Sequence, residues 1–214
     1  MTAVSKVIDY SLHIMCAYYN RKAYIMQKDV TVNTFKNVNI IAFRGTNDLK
    51  SLSYSFDLRS HENRLHSGYN KYAQSCKEQL LDLDIDFDKN TFITGHSLGS
   101  LASVLVANDL DIEANIVLFG SPRLATDDFC QEIKENKKLK IYNYINEYDI
   151  IADYPFFCYK HVTEAIILTN SKSYINPIHY HSMRSYGHNL LKMKLELCID
   201  EEIKREVRDE LEAM

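Results

Sequence analysis

The stretch TFITGHSLGSLASVL, residues 91–105, places two glycines around one serine in a chain that is poor in glycine. At average usage a chain of this length would hold about 15 glycines, and this one has six among 214 residues. NTFITG, from Asn90, is a short apolar run ending in glycine and reads as a strand. SLGSLASVLVANDL, from Ser97, has the small and aliphatic character of a buried helix. Between them, Gly95-His96-Ser97-Leu98-Gly99 forms the pattern GxSxG. In a tight strand-to-helix elbow the serine is held in a strained conformation with its hydroxyl presented. Side chains at the flanking positions would collide with neighbouring backbone, which is why glycine is needed there. Serine can also open a helix as a simple cap, but a cap needs no glycine on both sides.

Outward from this elbow the chain alternates strands with helices. Residues 3 to 19 space Val4, Val7, Ile8, Leu12, Ile14 and Met15 near helical period, so an opening amphipathic helix is expected. AYIMQ (23–27) and VNIIAF (38–43) read as strands from their β-branched and aromatic content. YNKYAQSCKEQLLDL, from Tyr69, reads as a helix with Tyr72, Cys76 and Leu80 on one face. NIVLFG is a further apolar strand, QEIKENKKL a charged helix or loop, and KIYNYI another strand. Short apolar strands alternating with helices predict an α/β fold, a mostly parallel central sheet flanked by helices. In such sheets, sites form outside the carboxyl ends of the strands.

Composition agrees with one globular unit. Apolar residues make up 46% and charged residues 25%, and no repeat, low-complexity tract or Pro/Gly/Ser-rich linker marks a boundary, so a single domain over 1–214 is expected. The net charge of −4 and pI near 6.1 lack the clustered cations that phosphate binding needs, and nucleic acid is set aside as a partner. The first 20 residues have no apolar run of the kind that drives secretion. No segment approaches the roughly 18 apolar residues of a membrane span, and a cytoplasmic location is expected. The five cysteines, Cys16, Cys76, Cys130, Cys158 and Cys198, are odd in number and free of CxxC pairs. They read as free thiols rather than a zinc site or a disulfide framework.

Serine is a poor nucleophile until a base takes its proton, and the base needs a group to orient it and stabilise its charged form. Asp149 stands just past the end of the KIYNYI strand, on the same sheet edge as Ser97, with Asp153 as its rival. Three histidines follow in IHYHSMRSYGHNLL: His179, His181 and His188. The chain order is therefore Ser, Asp, His, which is characteristic of α/β-hydrolases. Two backbone donors must also face the developing oxyanion. One is expected from Leu98, directly after the nucleophile, and the other from IIAFRGTND, where a strand turns at Gly45 and presents Thr46.

At this point the residues resemble a known family, the class 3 lipases, α/β-hydrolases that include the fungal triacylglycerol lipases. AFRGT resembles the family's oxyanion segment, LHSGY its helix-opening segment, TGHSLG its nucleophile elbow and FGSPR the strand end beyond it. NEYDIIADYP resembles its aspartate loop and HSMRSY its histidine segment. The motifs run in family order from about residue 40 to 190. The resemblance implies Ser97 as nucleophile, Asp149 as the acid, and Thr46 with Leu98 as oxyanion hole. It implies structural roles for Arg44 and His66. Among the histidines, His181 opens the matching segment on the loop entering the last helix, where a base can reach back to Ser97. The chain departs from the family in having no Trp and no disulfide pattern.

In secreted relatives the stretch after the oxyanion residue forms a lid. Here Leu49, Leu52 and Phe56 fall on one face of a short helix, and with Phe156 and Phe157 they make a candidate apolar rim for acyl chains or a lipid surface. CIDEEIKREVRDELEAM spaces Ile199, Ile203, Val207 and Leu211 every four residues, and a C-terminal helix over about 189–212 is expected. The resemblance implies hydrolysis of carboxylic esters of acylglycerol lipids through an acyl-enzyme on Ser97, with no metal or organic cofactor. Phospholipase A1 or galactolipid esterase activity is the alternative within that chemistry, and an inactive lipase-like scaffold the alternative outside it. The expected partner is a lipid ester, met at a lipid–water interface.

Overall fold

The computed structural model describes residues 10–35, 37–45, 67–83, 85, 87, 90–123, 125–154, 159–169 and 177–197. They form helix α1 (Tyr10–Met26), strands β1 (Val30–Phe35) and β2 (Val38–Phe43), α2 (Ser67–Leu81), β3 (Thr91–His96), α3 (Leu98–Asp109), β4 (Ala114–Phe119), α4 (Asp127–Glu135), β5 (Leu139–Asn146), β6 (Ala165–Leu168), a one-turn helix α5 (Pro177–Tyr180) and α6 (Met183–Leu197). The six strands make one sheet in the order β1-β2-β3-β4-β5-β6. β1 runs antiparallel to β2, and every later pairing is parallel. The mostly parallel sheet of the sequence reading is therefore observed, with an antiparallel edge.

Successive residues along a strand face opposite sides, and the core divides accordingly. Ile41, Phe43, Ile93, Ile116 and Leu118 pack beneath α2, α3 and α4 with Cys76, Leu101, Leu105 and Phe129. Ile40, Phe92, Val117, Phe119 and Tyr144 pack against α1 and α6 with Ile14, Ala17, Tyr186, Leu190 and Leu191. All six residues of β2 and all six of β3 are buried. Covered on both faces, they are continuous apolar runs rather than alternating ones.

The elements depart from the sequence reading in part. AYIMQ is not a strand: Ala23 to Met26 form the last turn of α1, which closes at Gln27 in the left-handed region, φ 54°. His13, Ile14, Ala17, Asn20 and Ala23 are buried at helical spacing while Ile25 is 73% exposed, so period overrides the strand propensity of Tyr and Ile. The first strand is instead VTVNTF, β1. QEIKENKKL lies in and just beyond α4, whose Thr126 cap accepts from the Phe129 amide. β6 is a strand that the sequence reading did not include. His179 lies in α5. The last helix begins at Met183, and residues 198–214, with most of the expected C-terminal helix, lie outside the described residues. No helix among the described residues is long and apolar enough to cross a membrane.

The parallel pairing brings the carboxyl ends of β2, β3, β4 and β5 to one edge. Arg44 and Gly45 follow β2, Ser97 follows β3, Gly120 follows β4, and Asp149 stands three residues past β5. The ladder persists to these ends, where Ser97 N–H donates to the Phe119 carbonyl at 2.9 Å and Gly120 N–H to the Tyr144 carbonyl at 3.0 Å.

Candidate active site

Ser97 sits between β3 and α3 with φ 53° and ψ −123°, and its side chain makes no capping hydrogen bond to the helix it precedes. The simple capping role is thereby excluded. Its backbone lies where a residue with a Cβ is strained. The flanking glycines are steric requirements: a Cβ on Gly95 would run into the backbone of Gly99 and Ser100, and one on Gly99 into the carbonyls of Phe43 and Arg44. Ser100 braces the turn by donating its hydroxyl to the Gly95 carbonyl at 3.0 Å.

His181 stands on the turn between α5 and α6. Its Nε2 is 2.8 Å from Ser97 Oγ, and its Nδ1 is 2.8 Å from Asp149 Oδ2 and 3.1 Å from Oδ1. A carboxylate only accepts, so Nδ1 carries the proton and Nε2 is free to accept from the serine hydroxyl. The three side chains, 84 and 32 residues apart in sequence, form one buried hydrogen-bonded chain. The rivals lie elsewhere: Asp153, His179 and His188 are exposed, the last on the outer face of α6.

Asp149 is buried and receives four donors. Besides His181, the amides of Ile151 and Ala152 donate to Oδ1 at 3.1 and 3.2 Å, and the Tyr186 hydroxyl to Oδ2 at 2.5 Å. Burial raises the proton affinity of the carboxyl, but the hydrogen bond and charge of His181, then Tyr186 and the Ala152 amide, outweigh it and hold it below its ordinary range. Asp149 therefore stays ionised and aimed. Tyr186 is fully buried on α6; burial and the charge of Asp149 push its phenol well above its ordinary value, so it remains a donor. The sequence reading missed this residue. Its only signal was a tyrosine inside HSMRSY, five positions after His181. Gly120 closes the back of the group with φ 57°; a Cβ there would stand 3.1 Å from Asp149 Oδ2 and from His181 Cε1.

Of the expected oxyanion donors, Leu98 is the first residue of α3, where a helix leaves its opening amides unpaired within itself. Thr46 lies outside the described residues, as do His66 and the rim candidates Leu49, Leu52, Phe56, Phe156 and Phe157. Arg44, just before Thr46, is anchored: its guanidinium meets Asp29 at 2.7 Å, its amide donates to the Asp29 carbonyl at 2.8 Å, and Tyr72 donates to its carbonyl. Among the described residues no group of three or more His, Cys, Asp or Glu side chains is arranged to hold a metal ion. Cys16, Cys76 and Cys130 are free thiols, and Cys158 and Cys198 lie outside the described residues.

Phospholipase A1-IIalpha of Arabidopsis thaliana is 28% identical over 142 residues, covering 57% of this chain and 34% of that protein. Phospholipase A1-II 1 of Oryza sativa subsp. indica is 29% identical over 143 residues, covering 58% and 36%. The chain thus spans about a third of the length of these curated relatives. Among solved structures, a Rhizomucor miehei lipase–propeptide complex aligns with a TM-score of 0.57 at 17% identity, over 79% of this chain and 70% of that one. The mono- and diacylglycerol lipase of Aspergillus oryzae aligns at 0.55 and 18% identity, over 72% and 62%. These structures share the α/β-hydrolase fold. The profile of the family described as lipase (class 3) matches residues 40–159, more than half of the chain and a span that holds both the serine elbow and Asp149. The chain belongs to the class 3 lipase family.

Proposed function

We propose that this chain is a carboxylic ester hydrolase of lipids in which Ser97 is the nucleophile, His181 the general base and Asp149 the residue that orients and stabilises it. The observation that carries the reading is the buried chain Ser97 Oγ to His181 Nε2, His181 Nδ1 to Asp149, set on the strained elbow. His181 takes the hydroxyl proton as Oγ bonds to the ester carbonyl carbon, and the tetrahedral oxyanion is met by the backbone N–H of Leu98 and by Thr46. Collapse breaks the bond to the alcohol oxygen, which leaves with the proton from His181, and the acyl group remains on Ser97. Water then gives a proton to His181 and its oxygen to the acyl carbon, releasing the fatty acid and restoring the serine.

Acylglycerols are the first substrate class. A phospholipase A1 reading is the second, favoured by the similarity to plant phospholipases A1. A cytoplasmic location is supported by the free thiols of Cys16, Cys76 and Cys130, and subcellular fractionation tests it. The function is tested with a fluorophosphonate probe and a substrate panel of a triacylglycerol, a phosphatidylcholine labelled in one chain, and a short nitrophenyl ester. Wild type is expected to be labelled on Ser97 and to cleave at least one of the three, and Ser97→Ala to do neither. A folded wild type without label on Ser97 would favour an inactive scaffold.

A further inference from the structure

We propose that Tyr24 and His96 form a positioning pair that fixes the backbone of the His181 turn and ties it to the oxyanion segment. The proposal rests on the reading of His181 as the base. His96 is the residue before the nucleophile, and its backbone is fixed by pairing with Phe119 at the end of β3. Its Nε2 lies 2.6 Å from the main-chain carbonyl of His181, and its Nδ1 lies 2.5 Å from the hydroxyl of Tyr24, in the last turn of α1. A carbonyl can only accept, so Nε2 carries the ring proton and donates. In a neutral imidazole Nδ1 must then accept, and the Tyr24 hydroxyl donates to it. One arrangement of protons satisfies all four groups.

Burial, and then repulsion from His181, lower the pKa of His96 to about 3. The ring therefore stays neutral across any working range of a histidine base, and Nδ1 stays an acceptor. The other end of the pair touches the second half of the site. The Gly45 backbone faces the Tyr24 hydroxyl, and a Cβ at Gly45 would collide with that oxygen and with the His96 carbonyl. Gly45 immediately precedes Thr46. The pair thus runs from the oxyanion segment, through a rigid strand end, to the turn that carries the base. Asp149 orients the His181 ring, but a ring on a turn can still drift with its backbone. A displacement near 1 Å at a reacting group costs about 100-fold in rate.

Two amides separate this role from mere packing. In His96→Gln the side-chain amide nitrogen falls near the position of Nε2 and can still donate to the His181 carbonyl. In His96→Asn the amide falls near Nδ1, so the Tyr24 contact survives and the His181 contact is lost. His96→Asn is expected to lower kcat about 100-fold with KM nearly unchanged, and His96→Gln to stay within about fivefold of wild type. Tyr24→Phe, which keeps the ring, frees His96 to adopt the other tautomer and is expected to lower kcat about tenfold, with no further loss in the His96→Gln background. Nitrogen-edited NMR should find His96 protonated on Nε2. It should also find the His181 Nδ1 proton signal shifted in His96→Asn and unmoved in His96→Gln. Equal kcat for the two amide variants with an unmoved signal, or an Nδ1-protonated His96, would overturn the proposal. An unlabelled Ser97 in wild type would overturn the hydrolase reading alone, because the NMR comparison does not depend on turnover. Should His96→Asn fail to fold, a Tyr24→Phe variant with wild-type kcat and an unchanged His96 tautomer overturns it equally.

Discussion

Removing the Tyr186 hydroxyl tests whether Asp149 depends on more than His181. Tyr186→Phe keeps the ring, which is packed edge-on to Phe119 and His96 with centroids 5.9 Å apart in each case, and deletes one of four donors to a buried carboxylate. A hydrogen bond to a charged group contributes about 1.5 to 3 kcal/mol, and the substitution should destabilise the fold by about that amount at pH 7. The sign with pH follows from Asp149, whose folded carboxyl lies below its ordinary value. Its contribution is complete above the unfolded pKa near ~3.9 and is lost as pH falls through the folded value. The hydroxyl's share of the stability disappears in that same acid window. In the proposed mechanism Asp149 carries the imidazolium formed at His181, and a loss of about 1.4 kcal/mol there is a tenfold fall in kcat. Urea unfolding of wild type, Tyr186→Phe, Asp149→Asn and the double variant measures the coupling. If Tyr186→Phe costs the same in the Asp149→Asn background as in wild type, the hydroxyl does not act through the carboxylate and the reasoning fails.

What the sequence disclosed, and what it hid, follows the range of the interactions. The elbow was legible because its constraint is local: the two glycines are dictated by collisions within a few residues of Ser97 and with the neighbouring strand end. The helices and strands from Val38 to Ile145 were legible for a similar reason, since sheet residues covered on both faces are apolar runs. Asp149 over Asp153 could be argued only from a strand end, whereas the structure separates them by burial and by two amides that the turn itself supplies. AYIMQ failed because residue preference outweighed period, and that misreading concealed Tyr24, which is useful only on a helix. β6 is four residues long and half exposed at Ile167, too short for an alternation to register. His96 and Tyr186 act through contacts 85 and 37 residues away along the chain. No local pattern marks such residues, and only the assembled sheet edge gives them a role.

Further predictions test each part of the site. Asp149→Asn should lower kcat about 10⁴-fold by spoiling the tautomer and charge of His181, while Asp153→Asn, at an exposed position, should change it less than about threefold; steady-state hydrolysis of a soluble ester distinguishes them. His181→Ala should match Ser97→Ala in residual rate, because such residues act as a unit, and the exposed His179 and His188 should tolerate alanine; a dead His179→Ala or His188→Ala beside an active His181→Ala would reassign the base. Gly120→Ala forces a Cβ into left-handed backbone and against Asp149 and His181, and should lose about 1 to 3 kcal/mol in urea unfolding together with most of kcat. The elbow itself supplies the last prediction, which separates strain from chemistry. Ser97 holds φ 53° and ψ −123°, a conformation that costs a residue with a Cβ about 1 to 3 kcal/mol and glycine far less. Ser97→Ala and Ser97→Gly both lose the hydroxyl and its contact with His181, so the difference between them reports the backbone alone. Glycine returns about 0.4 to 1 kcal/mol through its freer unfolded chain, leaving Ser97→Gly more stable than Ser97→Ala by about 1 kcal/mol. Glycine is also preferred to alanine at an ordinary helix N-cap, so the stability order is read together with the backbone of position 97 in Ser97→Ala, expected to stay near φ 53° and ψ −123°. An alanine variant equal to or more stable than the glycine variant would mean that the elbow relaxes when its hydroxyl is gone, and that the contact with His181, rather than the fold, holds the serine in its strained pose.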